Sequence, residues 1–312
     1  MKYSRYCFFL LLLLVIAGCR DKVNLNSFNQ ESRLVVYCFP SPGDTTYMRI
    51  TRSIPVRYYA DSVKVEQVDD ASVVYTVNGT PCMVTPVGHG YYRITGHQRV
   101  GDNISLQVSA RNSQAISAST AIPDTVAVGN IRMRRVKLKD KYSNRSDTYK
   151  QVMATFTDDA ATHRYYGVRV KHTASNTNII DETRFTYSSL NIESEPLLSP
   201  LTDIDDEFGY SNNYFGNFYI FDDASINGQT YTLHLNISSY DGQWGDNHFY
   251  QVELISITPE YYRFMLALNQ INNDELAKDG LSQIRPTVTN VSGGLGLLGG
   301  WSISHTQWIE DR

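Results

Sequence analysis

A chain of 312 residues suits about two domains, and it can bury enough core to need neither disulfides nor metals for stability. Its net charge of −4 gives no electrostatic footprint for nucleic acid, and 19% charged with 12% aromatic residues argues against disorder. Tyrosine is in excess, 22 against 12 Phe and 3 Trp, which leans toward half-buried pleated surface.

The chain opens with Lys2 and Arg5, followed by an unbroken apolar run from Cys7 to Ile16. Ten residues are too few to span a bilayer and fit a secretory signal. The run ends in Ile16-Ala17-Gly18-Cys19, which resembles the bacterial lipobox. Residues 1–18 are therefore expected to be a lipoprotein signal peptide, with Cys19 as the lipidated first residue. Several acyl chains on one residue anchor stably. Cleavage removes two bases and no acid, so the mature net charge becomes −6. Residues 19–30 are polar toward their end and read as a tether. Cys38 and Cys82 are the only other cysteines in an exported, oxidising setting. Strand parity turns both inward, which leaves an inter-sheet disulfide or two buried thiols open.

Residues 31–122 read as an N-terminal Ig-like β-sandwich. Short alternating runs occur at Arg33–Phe39, Tyr47–Ser53, Val63–Val68, Ser72–Val77, Thr80–Thr85, Tyr91–Thr95, Asn103–Ala110 and Ala115–Ile122. Asn78-Gly79 between two of them is a strong hairpin signal, and a two-residue loop there puts Cys82 opposite Tyr75. Ile122-Pro123-Asp124 reads as a boundary. Residues 123–312 are expected to form a second, C-terminal β-sandwich domain. Its strands are Ile131–Lys139, Gln151–Thr157, Tyr165–His172, Asn217–Phe221, Thr230–Ser238, Tyr250–Ile257 and Trp301–His305. Thr258-Pro259-Glu260 supplies an N-cap, an N1 proline and an early acid for one amphipathic helix over 259–272. Tyr261, Phe264, Met265, Leu268 and Ile271 recur at helical spacing, and the helix is expected to lie on the second sandwich. The fold class is all-β: two sandwiches and one helix.

Chemical motifs mostly fail. Gly294-Leu295-Gly296-Leu297-Leu298-Gly299 matches the dinucleotide pattern by letters, but a strand-like segment follows where a helix is required. It reads as a bend where backbones approach closely. The seven histidines show no zinc spacing, and no nucleophile elbow exists. Asp203, Asp205 and Glu207 read as a solvated acidic loop, with an irregular calcium site as the alternative; the EF-hand pattern fails at Phe208 and Tyr214. No cofactor is expected. Tyrosine pairs at 58–59, 91–92, 165–166 and 261–262 remain, together with Trp244 in a Gly- and Asp-rich stretch. Neighbours in a strand point to opposite faces, so each strand pair has a buried and a displayed member. Trp244, Tyr92 and Tyr166 are carried forward as candidate ligand or partner contacts.

Several features together resemble the DUF4249 lipoproteins of Bacteroidota. These are the lipobox and tether, Leu34-Val35-Val36, Arg52-Ser53-Ile54-Pro55, Phe221-Asp222-Asp223, Asn227-Gly228 with Tyr231, Thr258-Pro259-Glu260-Tyr261-Tyr262, and Thr289-Asn290-Val291-Ser292-Gly293-Gly294-Leu295-Gly296. Leu297-Leu298-Gly299 departs mildly from the family's Val-Phe-Gly. The resemblance implies an outer-membrane, surface-exposed lipoprotein with β-sandwich domains, encoded near TonB-dependent receptors, and carries over no catalytic residue. The functional expectation is a non-enzymatic accessory binding protein working with such a receptor. A glycan-binding module or adhesin, motivated by Trp244 and the tyrosines, is the alternative.

Overall fold

The computed structural model describes residues 31–54, 65–139, 146–177, 179–199, 218–238, 247–273 and 288–311. The signal peptide, Cys19, the tether, Tyr58-Tyr59, the Asp203–Glu207 cluster and Trp244 lie outside the described residues.

The first nine strands are β1 (Leu34–Cys38), β2 (Gly43–Arg52), β3 (Glu66–Gln67), β4 (Ser72–Val77), β5 (Thr80–Pro81), β6 (Met83–Gly88), β7 (Tyr91–Gln98), β8 (Asn103–Ser109) and β9 (Ile116–Ala121). Then come β10 (Val128–Lys139), β11 (Ser146–Thr157), β12 (Tyr165–Ser175), β13 (Thr186–Tyr187), β14 (Leu190–Asn191), β15 (Tyr219–Asp222), β16 (Thr230–Ser238) and β17 (Asn247–Ile257). Helix α1 (Pro259–Asn273) precedes β18 (Leu295–Leu298), β19 (Trp301–His305) and β20 (Ile309–Glu310).

Four sheets result. Sheet A has the order β18-β1-β2-β7-β6, with β3 on β2, and sheet B runs β5-β4-β8-β9. Sheet C runs β10-β11-β16-β14, and sheet D runs β13-β12-β17-β19, with β15 on β12 and β20 on β17. Sheets A and B enclose one core, with Val36, Met48 and Ile50 facing Tyr75, Leu106 and Ile116. Sheets C and D enclose another, built on Val152, Phe156, Val168, Leu235 and Val252. The architecture is an all-β pair of sandwiches, as the alternation predicts. At the hairpin, Asn78 (φ 49°) and Gly79 (φ 80°) take the left-handed pair that a two-residue turn needs. Cys82 then donates its backbone N–H to Tyr75 O at 2.9 Å, the register expected. The predicted strand Thr80–Thr85 breaks at Cys82: β5 stays in sheet B, whereas β6 crosses to sheet A.

Two expectations are corrected. Residue 122 does not end the first sandwich's share of the chain. β18 returns to pair in parallel with β1, Val36 opposite Gly296, and Val291 and Leu298 sit in the first core. Nor does α1 rest on the second sandwich alone. Tyr261, Phe264, Met265 and Leu268 are buried with Tyr37 and Leu297 of sheet A and with Ile220, Ile255 and Ile257 of sheet D. Tyr37 meets Phe264 at 5.7 Å, and Phe39 meets Tyr261 at 4.8 Å between ring centroids. The helix thus fills a third core shared by both sandwiches. A pattern of apolar positions gives the buried face but not what that face meets.

The strand directions fix two ends. Arg33 N–H donates to Ser53 Oγ at 3.0 Å at the start of β1, whereas its other end reaches Gly299, whose N–H donates to Cys38 O at 3.0 Å. The chain therefore comes into the first sandwich at the end opposite the second. From the junction, β10 and β12 run outward and β11 and β17 run back. Lys139, Ser146, Ser175 and Asn247 consequently share the outer end of the second sandwich.

Burial raises the Tyr37 hydroxyl from the ordinary value of 10.0 to about 12; burial, then the Asp222 carboxylate, does the same for Tyr262. Above pH 10 the unfolded chain loses these protons first, so it binds fewer than the native state and stability falls with rising pH. Stability is expected to be level below about pH 10 and to decline progressively toward pH 12. Urea midpoints measured from pH 8 to 12 check this; a flat profile through pH 12 would remove the shared core's tyrosines as its cause.

Candidate functional site

Tyr92 and Tyr166 are not displayed. Tyr92 lies inside the first sandwich, where its hydroxyl donates to Val68 O at 2.8 Å and accepts from Ala71 N–H at 2.9 Å. Tyr166 lies inside the second, stacked on Phe221 at 5.1 Å with its hydroxyl donated to Asp158. Both are corrected from contact residues to core. A tyrosine in a sandwich can point inward whenever a carbonyl or carboxylate waits for its O–H, and alternation does not reveal such a partner. Their sequence neighbours are half-buried. Arg49 lies over the Tyr91 ring at 5.2 Å, and Tyr165 is covered by Tyr262 at 4.7 Å.

Several of the buried polar groups form tight clusters. In the first, fully buried Asp223 accepts Arg164 N–H at 2.6 Å and pairs with His163, while Asp158 accepts Tyr166 O–H and, at 2.9 Å, Gly228 N–H. In the second, Lys150 donates to Tyr250 Oη at 2.8 Å and pairs with Asp311 at 3.1 Å. His172 and His248 share a 2.9 Å contact beside it. In the third, Glu253 joins Arg169 and Lys171, each at 2.6 Å, and those cations lie over Tyr187 and Phe185. In these clusters each buried carboxylate has an opposite charge or donors at hand, as burial demands.

This chemistry holds the fold. His97, His163 and His234 face Asp44, Asp223 and Glu195, but among the described residues no serine or threonine hydroxyl or cysteine thiol bonds any of these three rings to make a nucleophile–base pair. Nor is any group of three His, Cys, Asp or Glu among the described residues placed to hold a metal. Two open hollows of about 310 and 390 Å³ lie on sheet B and beside Arg33 and Gly293. The first is walled by small polar and apolar side chains, and the second by Glu31, Ser32, Arg33, Asn112, Ser113 and Gln114, with no histidine or cysteine in either lining.

One surface feature went unmarked in the sequence reading. Among the described residues β10 is the outermost strand of sheet C, and it carries Arg132, Arg134, Arg135, Lys137 and Lys139, all exposed. Its letters, Ile131-Arg132-Met133-Arg134-Arg135-Val136-Lys137-Leu138-Lys139, were legible as a strand. The signal that could have been read is five cations with no acid in an acidic chain.

The family model DUF4249, a domain of unknown function, matches residues 20–307. The chain belongs to the DUF4249 family. No curated protein matches. Among solved structures, a DUF4785 family protein from Legionella pneumophila is similar at 12% identity and a TM-score of 0.21, over 72% of this chain and 51% of that one. This DUF4249 chain thus spans about half the length of that structure, and so low a score carries no argument.

The blocks that mark this DUF4249 chain prove architectural. Asn290 accepts Leu298 N–H at 3.0 Å and donates to Leu298 O at 2.8 Å, fastening β18 from outside the strand. At Gly296 (φ 106°) a Cβ would run into the Val36 carbonyl, and at Gly300 into that of Ala121. The glycines serve backbone approach, as the failed dinucleotide pattern suggests.

Cys38 and Cys82 are both free. Cys38 is fully buried in β1 and its thiol is pushed well up by burial, whereas Cys82 is half-buried at the sheet-switching corner. A protein beginning at residue 31 should therefore show two titratable thiols when denatured without reductant. When native, Cys82 should react and Cys38 should stay protected. No thiols under denaturing conditions would mean a bridge.

Proposed function

We propose that this DUF4249 protein is a lipid-anchored outer-membrane lipoprotein of a Bacteroidota cell, displayed at the surface. In this reading it acts as a non-enzymatic binding accessory of a TonB-dependent receptor. The observation that carries the reading is the run Ile16-Ala17-Gly18-Cys19, twelve residues before Glu31. Support also comes from the way the chain comes into the first sandwich, at the end away from the second. Anchored at Cys19, the first sandwich would act as a stalk and the second would be presented outward. Of the aromatics behind the glycan reading, two are core residues and Trp244 lies outside the described residues, so no observation favours that alternative.

The test is a tagged pull-down from native outer membranes in mild detergent, with Cys19→Ser alongside. The wild type is expected to float with the outer membrane, take up labelled palmitate and recover a TonB-dependent receptor, while Cys19→Ser loses label and flotation. A wild type without label, or one that recovers no receptor, counts against the anchor or the partner respectively.

A further inference from the structure

We propose that the open edge of β10 is a docking site for an acidic, extended segment of a partner protein, which adds to sheet C as a fifth strand. The proposal stands independently of the anchor and the receptor, since it rests on the second sandwich alone.

The site begins with the backbone. β10 pairs with β11 along one side, in unbroken register from Arg132 opposite Met153 to Lys139 opposite Ser146, and among the described residues no strand pairs with its other side. Its free edge therefore presents alternate N–H and C=O groups over eight residues, roughly 26 Å of extended chain. Strand addition to such an edge takes affinity from main-chain hydrogen bonds and specificity from alternate side chains.

The side chains specify charge. Residues 126–139 contain five cations and no acid, in a chain whose net charge is −4. Arg134 Nε is spent on the neutral Gln151 carbonyl at 2.8 Å. Arg135 reaches Asp311 at 3.1 Å, an acid already neutralised by Lys150. Arg132, Lys137 and Lys139 make no ion pair among the described residues. Val136 and Leu138 lie half-buried between them and offer apolar contact to an incoming strand.

Two simpler readings are weaker. Cations on an edge can merely deter aggregation, but the register shift between Gly129 and Arg132 already breaks the edge near the junction. The stretch beyond it is regular and uniformly cationic, which a deterrent does not require. A flat anionic membrane would also attract cations, but it meets one face. By strand alternation, Arg132 and Arg134 lie on one face of sheet C, and Arg135, Lys137 and Lys139 on the other. A strand lying in the plane of the sheet is the partner that reaches both sets.

The probe is a fluorescein-labelled peptide, Thr-Glu-Val-Glu-Glu-Val-Glu-Thr, which divides its four acids between the two faces. Its anisotropy is measured against the folded protein of residues 31–312. Saturable binding is expected, weakening with added salt because the cations are exposed. The Arg132→Glu/Lys137→Glu/Lys139→Glu variant should bind at least tenfold more weakly while keeping the wild-type melting point. Lys137→Glu alone should weaken binding severalfold and serves if the triple variant does not fold. Backbone pairing is read separately: N-methylation of alternate peptide residues should abolish binding, and bound peptide should slow amide exchange along β10. Equal binding to the triple variant, equal binding of the N-methylated peptide, or binding to phosphatidylglycerol vesicles without peptide binding would each overturn the proposal.

Discussion

The parallel pairing of β18 on β1 is the constraint on which the rest depends. Some 260 residues separate Val36 from Gly296, and the contact they make closes one edge of the first sandwich with chain that has already passed through most strands of the second. The approach is close enough that only glycine serves at 296. Asn290 then holds Leu298 by both backbone groups, and Ser292 bridges to Ser117 of β9. From this clasp the chain continues through Gly299 and Gly300 directly into β19 of the second sandwich. The chain therefore passes between the sandwiches three times, through Ile122–Val128, back between β17 and β18 by way of α1, and out again through Gly299 and Gly300.

Helix α1 occupies the angle that this stitching creates. Its buried face meets both lobes, so a third apolar core lies where two independent domains would have had a solvated linker. That arrangement makes the lobes one body with two ends, one where the described chain begins beside Arg33 and the other where Lys139, Ser146, Ser175 and Asn247 gather. The interior tyrosines serve the same economy. Tyr75 donates to Gln98, which donates to Thr46; Tyr219 holds Leu190; Tyr250 receives Lys150. Each buries a large ring while its hydroxyl satisfies a loop or a charge that the sandwich would otherwise strand. Among the described residues, these buried tyrosines serve as internal wiring.

Much of the fold was legible because its signals are local. Alternation gave the long strands, Asn78-Gly79 gave a hairpin and its register, and Thr258-Pro259-Glu260 gave the helix start within a residue. The rest was hidden for physical reasons. Leu295–Leu298 is too short and glycine-rich to alternate, and nothing in its letters names β1 as its partner. The inward turn of Tyr92 depends on the Val68 carbonyl, and that of Tyr166 on the Asp158 carboxylate, partners supplied by tertiary structure alone. The edge position of β10 is a property of sheet order. Its cations were visible as letters, but only the open side of sheet C gives them a meaning.

Scanning calorimetry of residues 31–312 with and without Gly296→Val tests the clasp most directly. Coupling through β18 and the shared core predicts one cooperative transition for the wild type. A branched side chain against the Val36 carbonyl should then lower the midpoint by at least about 5 °C or split the transition into two. A variant that melts with the wild type, or a wild type that already melts in two separate steps, would contradict the account.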